Sequence, residues 1–334
     1  MSTLVVYGIA LTMLAGLTCG NCMLPMKFIR HWQWENLWLV FCVTSQLILP
    51  WGLALLLVGD LGRIYNGVGT SQLVLTLFLG AGWGVAMALF GLSIKRLGLA
   101  LGNAVIIGLG SLGGTLVPLF FQNRAVLGTS RGTLILAGLA VMVVGIVVSA
   151  YAGRQRESGQ KAEAGKGYGS ALLLAIHCGI LAPMINYSFA FGQDIAVRAV
   201  RLGVSPANAA YAVWPVTLTG ALLPNLAYSI YLLNKNKTWS AYRGPWLTDA
   251  GLSGLMAVLW MGAMGVYGVA TVYLGALGTS VGYGLFQIFM IMAANGGGLV
   301  TGEWTGAPRT ARRTLYGGLV LLTVATTMLA AGNR

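Results

Sequence analysis

Charge is what this chain of 334 residues has least of. Charged residues make up 8% of it, and only seven are acidic. Soluble proteins carry about 25%. So little charge cannot cover a water-facing surface, which excludes an ordinary soluble globule and leaves lipid as the main solvent. Basic residues are also missing ahead of the first apolar run, which starts at Leu4 and is followed by Lys27 and Arg30. No cleavable signal peptide is apparent there, and that run is expected to stay as a helix. The net charge of +13 is scattered over short loops with no dense basic stripe, so no nucleic-acid partner is expected. The four cysteines, Cys19, Cys22, Cys42 and Cys178, all lie in apolar segments, where a disulfide framework is not expected.

What the chain does have is long apolar runs. A membrane-crossing helix needs about 20 such residues. Ten runs qualify, roughly 4–27, 36–58, 72–94, 97–121, 132–152, 170–192, 209–233, 250–273, 278–300 and 314–332. Ala250 to Gly302 carries no charge at all; Gly275, Gly278 and Thr279 mark the expected turn within it. The polar segment 153–169, GRQRESGQKAEAGKGYG, divides the chain almost in half and reads as a linker between segments 1–152 and 170–334. All Lys and Arg except Arg63, Arg124, Arg131, Arg198, Arg201 and Arg334 fall on the loops after odd-numbered helices. Membrane proteins keep basic residues on cytoplasmic loops. The expected protein is therefore a multi-pass inner-membrane protein with both termini on the outer side.

The two halves echo each other. CGNCMLPM at Cys19 pairs with CGILAPM at Cys178, and GAGWGV at Gly80 with GAMGVY at Gly262. LGLALGN at Leu97 pairs with LGTSVGY at Leu277, and RGTL at Arg131 with RRTL at Arg312; the last three pairs lie 182, 180 and 181 residues apart. Two copies of five helices must insert with opposite topology because five is odd. The expected fold class is an all-α membrane protein of ten transmembrane helices in two inverted five-helix repeats, an arrangement of secondary transporters with a site between the halves. The echo also bears on the Cys19-x-x-Cys22 spacing, which taken alone suggests thiol redox chemistry. The second copy keeps Cys-Gly and Pro-Met but loses the second cysteine, so packing explains the motif better than a dithiol.

The segment LPMKFIRHWQWENLWLVFCVTSQLILPWGLALLL resembles the first loop and second helix of the L-rhamnose–proton symporter family, within the drug/metabolite transporter superfamily. The matching marks are Pro25, Lys27, Trp32-x-Trp34-Glu35-x-x-Trp38 and Leu49-Pro50-Trp51. GAGWGVAMALFGLSIKRLGLALG, CGILAPMINYSFA, LGVSP and GGLVTGEW fit in the same order. The resemblance runs over nearly the whole chain and implies ten helices and transport of a small sugar, with a proton as partner ion. An exporter of the same superfamily is the second reading and a membrane thiol oxidoreductase the third. No G-x-x-x-x-G-K-[ST] phosphate loop supports ATP-driven transport, and no metal, cofactor or catalytic residue is expected.

A sugar site in lipid needs amides and hydroxyls in place of water and an aromatic face for the sugar's C–H side. The polar candidates are Asn21, Gln46, Asn103, Asn186, Tyr187, Tyr211, Tyr267, Tyr283, Gln287 and Asn295, with Trp83 and Trp214 as aromatic platforms. Each alone is more readily an interhelical hydrogen bond; the set gains from Asn103 and Tyr283 occupying matching repeat positions. Trp32, Trp34, Trp38, Trp239, Trp246 and Trp304 are expected as interfacial anchors. Glu35 and Glu303 read first as helix-end ion pairs and second as gating groups. With no acid at mid-membrane depth, the candidate proton carriers are His177, well inside the sixth apolar run, and the loop-edge acids Glu35 and Glu303.

Overall fold

The computed structural model describes residues 3–97, 99–157 and 168–333. Among them the chain is all helix, with ten helices long and apolar enough to cross a membrane. These are α1 (Thr3–Phe28), α2 (Trp34–Leu57), α3 (Thr70–Ile94), α4 (Leu101–Gln122), α5 (Ser130–Arg156), α6 (Gly169–Arg201), α7 (Pro206–Asn236), α8 (Leu247–Leu277), α9 (Val281–Val300) and α10 (Arg309–Gly332).

Among the differences from the expected bounds are three extensions of helices. Helix α5 continues beyond 152 into the segment read as a linker, whose residues 158–167 lie outside the described residues. Helix α6 runs on past 192 through a turn at Gly192 into Gln193–Arg201, whose apolar side buries Ile195, Ala196 and Ala199 while Asp194, Arg198 and Arg201 supply a polar one. Helix α10 starts at Arg309, directly after Pro308. In each case an amphipathic turn extends the helix past the apolar run that marks the membrane core.

Prolines shape the interior. Pro183 divides α6 into two segments, with a turn at Ala182 and Pro183 before Met184. Pro50 has no N–H to give the Gln46 carbonyl, and its ring would collide with that carbonyl in a regular helix. Helix α2 opens there into a π turn over Thr44–Ile48, with the Leu49 N–H bonded to the Thr44 carbonyl. The turn carries Gln46, whose side chain is fully buried.

Helix α1 packs on α8 and α9, as α6 packs on α3 and α4. Helix α2 packs on α8 as α7 does on α3, and α4 on α5 as α9 does on α10; the pairs α2–α7, α4–α9 and α5–α10 complete the main contacts. Small residues set the closest approaches, as between membrane helices generally. Gly16 and Gly20 lie against the backbone of α9 at Phe286 and Met290, and Gly80 and Gly84 lie against the Thr217 and Ala221 carbonyls of α7. A methyl group at position 80 would collide with the Thr217 carbonyl oxygen. Gly80→Ala is therefore expected to lower stability by about 1–3 kcal/mol through overpacking. Gly91→Ala, on the same helix with open space around it, should be neutral or stabilising. Thermal unfolding in detergent compares the two; equal melting temperatures would contradict the glycine-set approach.

Candidate functional site

The glycine contacts hold α3 flat against α7 and bring Trp83 into the centre of the bundle. There its indole stacks on that of Trp260 from α8, centroids 5.5 Å apart and planes 18° from parallel. Phe41 of α2 meets Trp260 edge-on at 6.2 Å. A second stack joins Phe189 of α6 and Trp214 of α7 at 4.6 Å. Tyr267 links the second stack to α9, lying 6.0 Å from Phe189, 5.1 Å from Phe286 and 6.3 Å from Tyr283. These rings belong to one continuous buried cluster that takes in α2, α3, α6, α7, α8 and α9.

One side chain ties this cluster together with polar bonds. Asn186, just past the Pro183 break, donates to the Gly114 carbonyl at 2.9 Å and to the Thr279 carbonyl at 2.8 Å. Its own amide oxygen accepts from the Tyr267 hydroxyl at 2.8 Å. All its polar groups are thus engaged inside the protein. Tyr187 approaches Gly113, Tyr283 packs on Gly114, and Tyr211 packs on Gly265. The hydroxyls of these three tyrosines, the Gln287 amide and the Trp83 and Trp260 N–H groups make no hydrogen bond to another of the described residues. The Trp214 N–H is buried without a partner among the described residues.

Other expected site residues lie elsewhere. Gln46 joins a buried chain in which the Trp38 N–H donates to Asn225 and Asn225 donates to the Gln46 amide oxygen at 3.4 Å. Asn225, 1% exposed, escapes a reading of the sequence because a lone amide beside Pro224 carries no repeat signal. Asn21 and Asn295 each donate to their own helix, at Leu17 and Ile291. The amide oxygens of Asn21 and Asn103 are buried without partners among the described residues. Asn103 and Tyr283 do not meet: Tyr283 packs on Gly114, eleven residues along α4 and so about 16 Å from Asn103 at 1.5 Å per residue. His177 is exposed on the outer face of α6 between exposed Leu173 and Ile180, and its Nδ1 bonds the Leu173 carbonyl of its own helix. The four cysteines are buried free thiols.

The two ends of the bundle are closed differently. Where the odd-numbered loops gather, Lys27 at the end of α1 pairs with Glu303 after α9, and Arg156 at the end of α5 reaches Glu303 at 3.5 Å. Arg156 also lies over the Trp304 ring at 4.9 Å. Glu35 accepts from Asn236 and Thr238, both at 2.9 Å. Asp249, fully buried, accepts backbone N–H bonds from Arg30 at 3.3 Å, His31 at 2.8 Å and Trp32 at 2.9 Å. Its one trace in the sequence is an acid opening the longest uncharged stretch. Trp32 and Trp304 are buried here, packed under these contacts rather than standing as interfacial anchors; Trp239 and Trp246 are exposed. At the other end the closing contacts are hydrogen bonds with no ion pair among the described residues, and the Arg131 guanidinium gives one of them to the Gly332 carbonyl at 3.3 Å. Gln122 donates to the Ala190 carbonyl at 2.9 Å, Asn123 to that of Ala276 at 2.9 Å, and Gln72 to that of Phe191. Thr279 donates to Gln122 at 3.1 Å.

Lys27, hydrogen-bonded to it, holds the Glu303 carboxyl below its usual range, with Arg156 adding to the effect. A depressed carboxyl pKa adds stability above the unfolded value, about 4.3, and surrenders it as pH falls through the lower folded value. The difference in melting temperature between the natural chain and Glu303→Gln should then hold steady from about pH 8 to pH 5 and close only below about pH 4. A difference that vanishes between pH 7 and 5 would contradict the pairing.

A family profile described as "L-rhamnose-proton symport protein (RhaT)" matches residues 1–333. Curated relatives named L-rhamnose-proton symporter cover almost the full chain. The protein of Klebsiella pneumoniae subsp. pneumoniae is 30% identical over 318 residues, 92% of each chain. Those of Cronobacter sakazakii and Mannheimia succiniciproducens are 29% and 27% identical, covering 99% and 95% of each chain.

Proposed function

Because the chain belongs to the L-rhamnose-proton symport family, we propose that it carries L-rhamnose, or a related deoxysugar, across the inner membrane together with a proton. The match over the full set of ten helices carries this reading. The central cluster supports it: indole faces, with hydroxyl, amide and N–H groups that have no partner among the described residues, are what a sugar needs once its water is removed. Polar groups left unpaired at membrane depth are expensive unless a ligand or water meets them.

The helix pairing supports two five-helix halves of opposite topology, since the main contacts survive exchange of each helix with the one five places later. The concentration of Lys and Arg on the odd-numbered loops supports a cytoplasmic position for that end and an outer position for both termini. Among His177, Glu35 and Glu303, Glu303 is the best-supported proton carrier. It is solvent-reachable and paired to another helix through Lys27, so opening that end of the bundle removes the charge that holds its carboxyl down and raises its proton affinity toward the ordinary carboxylate value.

Uptake of L-rhamnose into proteoliposomes tests the function. Accumulation should rise when the outside is made more acidic, and Glu303→Gln should retain sugar exchange but lose the response to the gradient. Uptake indifferent to the gradient would overturn proton coupling, and no uptake of any deoxysugar would overturn the substrate.

A further inference from the structure

The Trp83–Trp260 stack joins two helices that do not form one of the main packed pairs. Here two indoles reach across the space between α3, in the first half of the chain, and α8, in the second. Both are 7% exposed, so they are neither solvent-facing nor sealed. Neither N–H is given to another described residue. The backbone beneath Trp83 is fixed, because the flanking Gly84 lies against the Ala221 carbonyl and the Pro224 ring. The backbone beneath Trp260 is equally held, with Ala257 and Met261 fully buried on either side. The rings can part only if α3 and α8 move relative to each other or if a side chain changes rotamer.

We propose that Trp83 and Trp260 are the two walls of the sugar site, and that when they stack each indole fills the place of the sugar ring against the other. This rests on reading the chain as a sugar transporter. An indole face attracts the positively polarised C–H groups on the flat side of a pyranose, and its N–H edge donates to a hydroxyl. A deoxysugar suits two such walls better than a fully hydroxylated hexose, because one hydroxymethyl group becomes a methyl and enlarges the apolar face. Entry of the sugar separates the indoles, so the loaded and empty forms differ in the spacing of α3 and α8. A ligand that binds one spacing better shifts the population toward it, which links occupancy of the site to movement between the halves.

The test uses the purified full-length chain and its Trp83→Phe, Trp260→Phe, Trp83→Ala and Trp260→Ala variants, titrated with L-rhamnose, L-fucose and D-glucose. Thermal stabilisation and intrinsic tryptophan emission are both read. Each alanine variant should raise the L-rhamnose dissociation constant at least tenfold, which is about 1.4 kcal/mol. The phenylalanine variants should stay folded and lose less. A sugar-induced emission change in the natural chain should disappear in both phenylalanine variants, because parting of the stack produces it. If folded variants bind L-rhamnose as the natural chain does, or the emission change persists in both phenylalanine variants, the stack is packing only and the proposal falls. If the natural chain binds none of the three sugars, the substrate reading falls first and the proposal with it.

Discussion

Asp249→Ala should be among the most destabilising single substitutions in the chain. It removes the acceptor for the N–H groups of Arg30, His31 and Trp32 and leaves that of Trp32 buried. Hydrogen bonds to a charged group contribute about 1.5–3 kcal/mol each, and an abandoned buried donor adds its own desolvation penalty. A loss on the order of 3 kcal/mol or more is expected from these terms. Asp249→Asn should recover only part of it, since the amide retains one acceptor oxygen but turns an N–H₂ toward another donor. His31→Ala should matter far less. Its ring is half exposed and 3.5 Å from the carboxylate, and its backbone N–H survives the change. Thermal unfolding of the three variants in detergent ranks them. An Asp249→Ala protein melting with the natural chain would mean that the α1–α2 loop is held by something else.

The second large effect is expected at Asn186. Replacement by alanine strands the Tyr267 hydroxyl and the carbonyls of Gly114 and Thr279, all of which the amide now satisfies. At about 1–3 kcal/mol for each buried group left unsatisfied, the total approaches the whole stability margin of an ordinary domain. Tyr267→Phe breaks only one of the three bonds and should show roughly a third of the loss. Comparing these two in the same unfolding assay separates a locking role from a sugar-binding one. A locking amide lowers stability with no sugar present, whereas a group used only by the sugar leaves the empty protein unchanged. Equal stability of Asn186→Ala and the natural chain would remove Asn186 from the scaffold and return it to the ligand.

The ten crossings were legible because lipid imposes a simple demand: about 20 apolar residues each, with the turns left polar or glycine-rich. The ends of α5, α6 and α10 were not, since an amphipathic turn continues a helix without continuing its hydrophobicity. Depth along the chain was also readable, but the facing direction was not. His177 lies well inside α6 by count, yet at 100° per residue it falls on the outer face with Leu173 and Ile180. Matching of repeats suggests which helices correspond without saying which turns meet, so it did not anticipate that Tyr283 packs on Gly114 and not on Asn103. Trp83 was visible as an aromatic beside a repeated glycine pattern. Its partner Trp260 lies outside every repeat match, and no local signal distinguishes it from an ordinary core tryptophan.

The contrast between the two ends of the bundle has a consequence for how the protein responds to its surroundings. The Lys27–Glu303–Arg156 cluster is partly exposed, so dissolved ions screen it, with a Debye length of about 8 Å at physiological ionic strength and 3 Å at 1 M. At the opposite end the contacts among the described residues are hydrogen bonds to carbonyls and amides with no ion pair, which counter-ions affect far less. Raising salt should therefore ease opening at one face of the membrane and leave the other as it was. In vesicles with all chains oriented alike, potassium chloride on the odd-loop side would speed sugar exchange and the same salt on the far side would not. Sugar supplied from one side alone would then be carried with a different maximal rate and half-saturation than sugar supplied from the other, while the final equilibrium stays where the gradients put it.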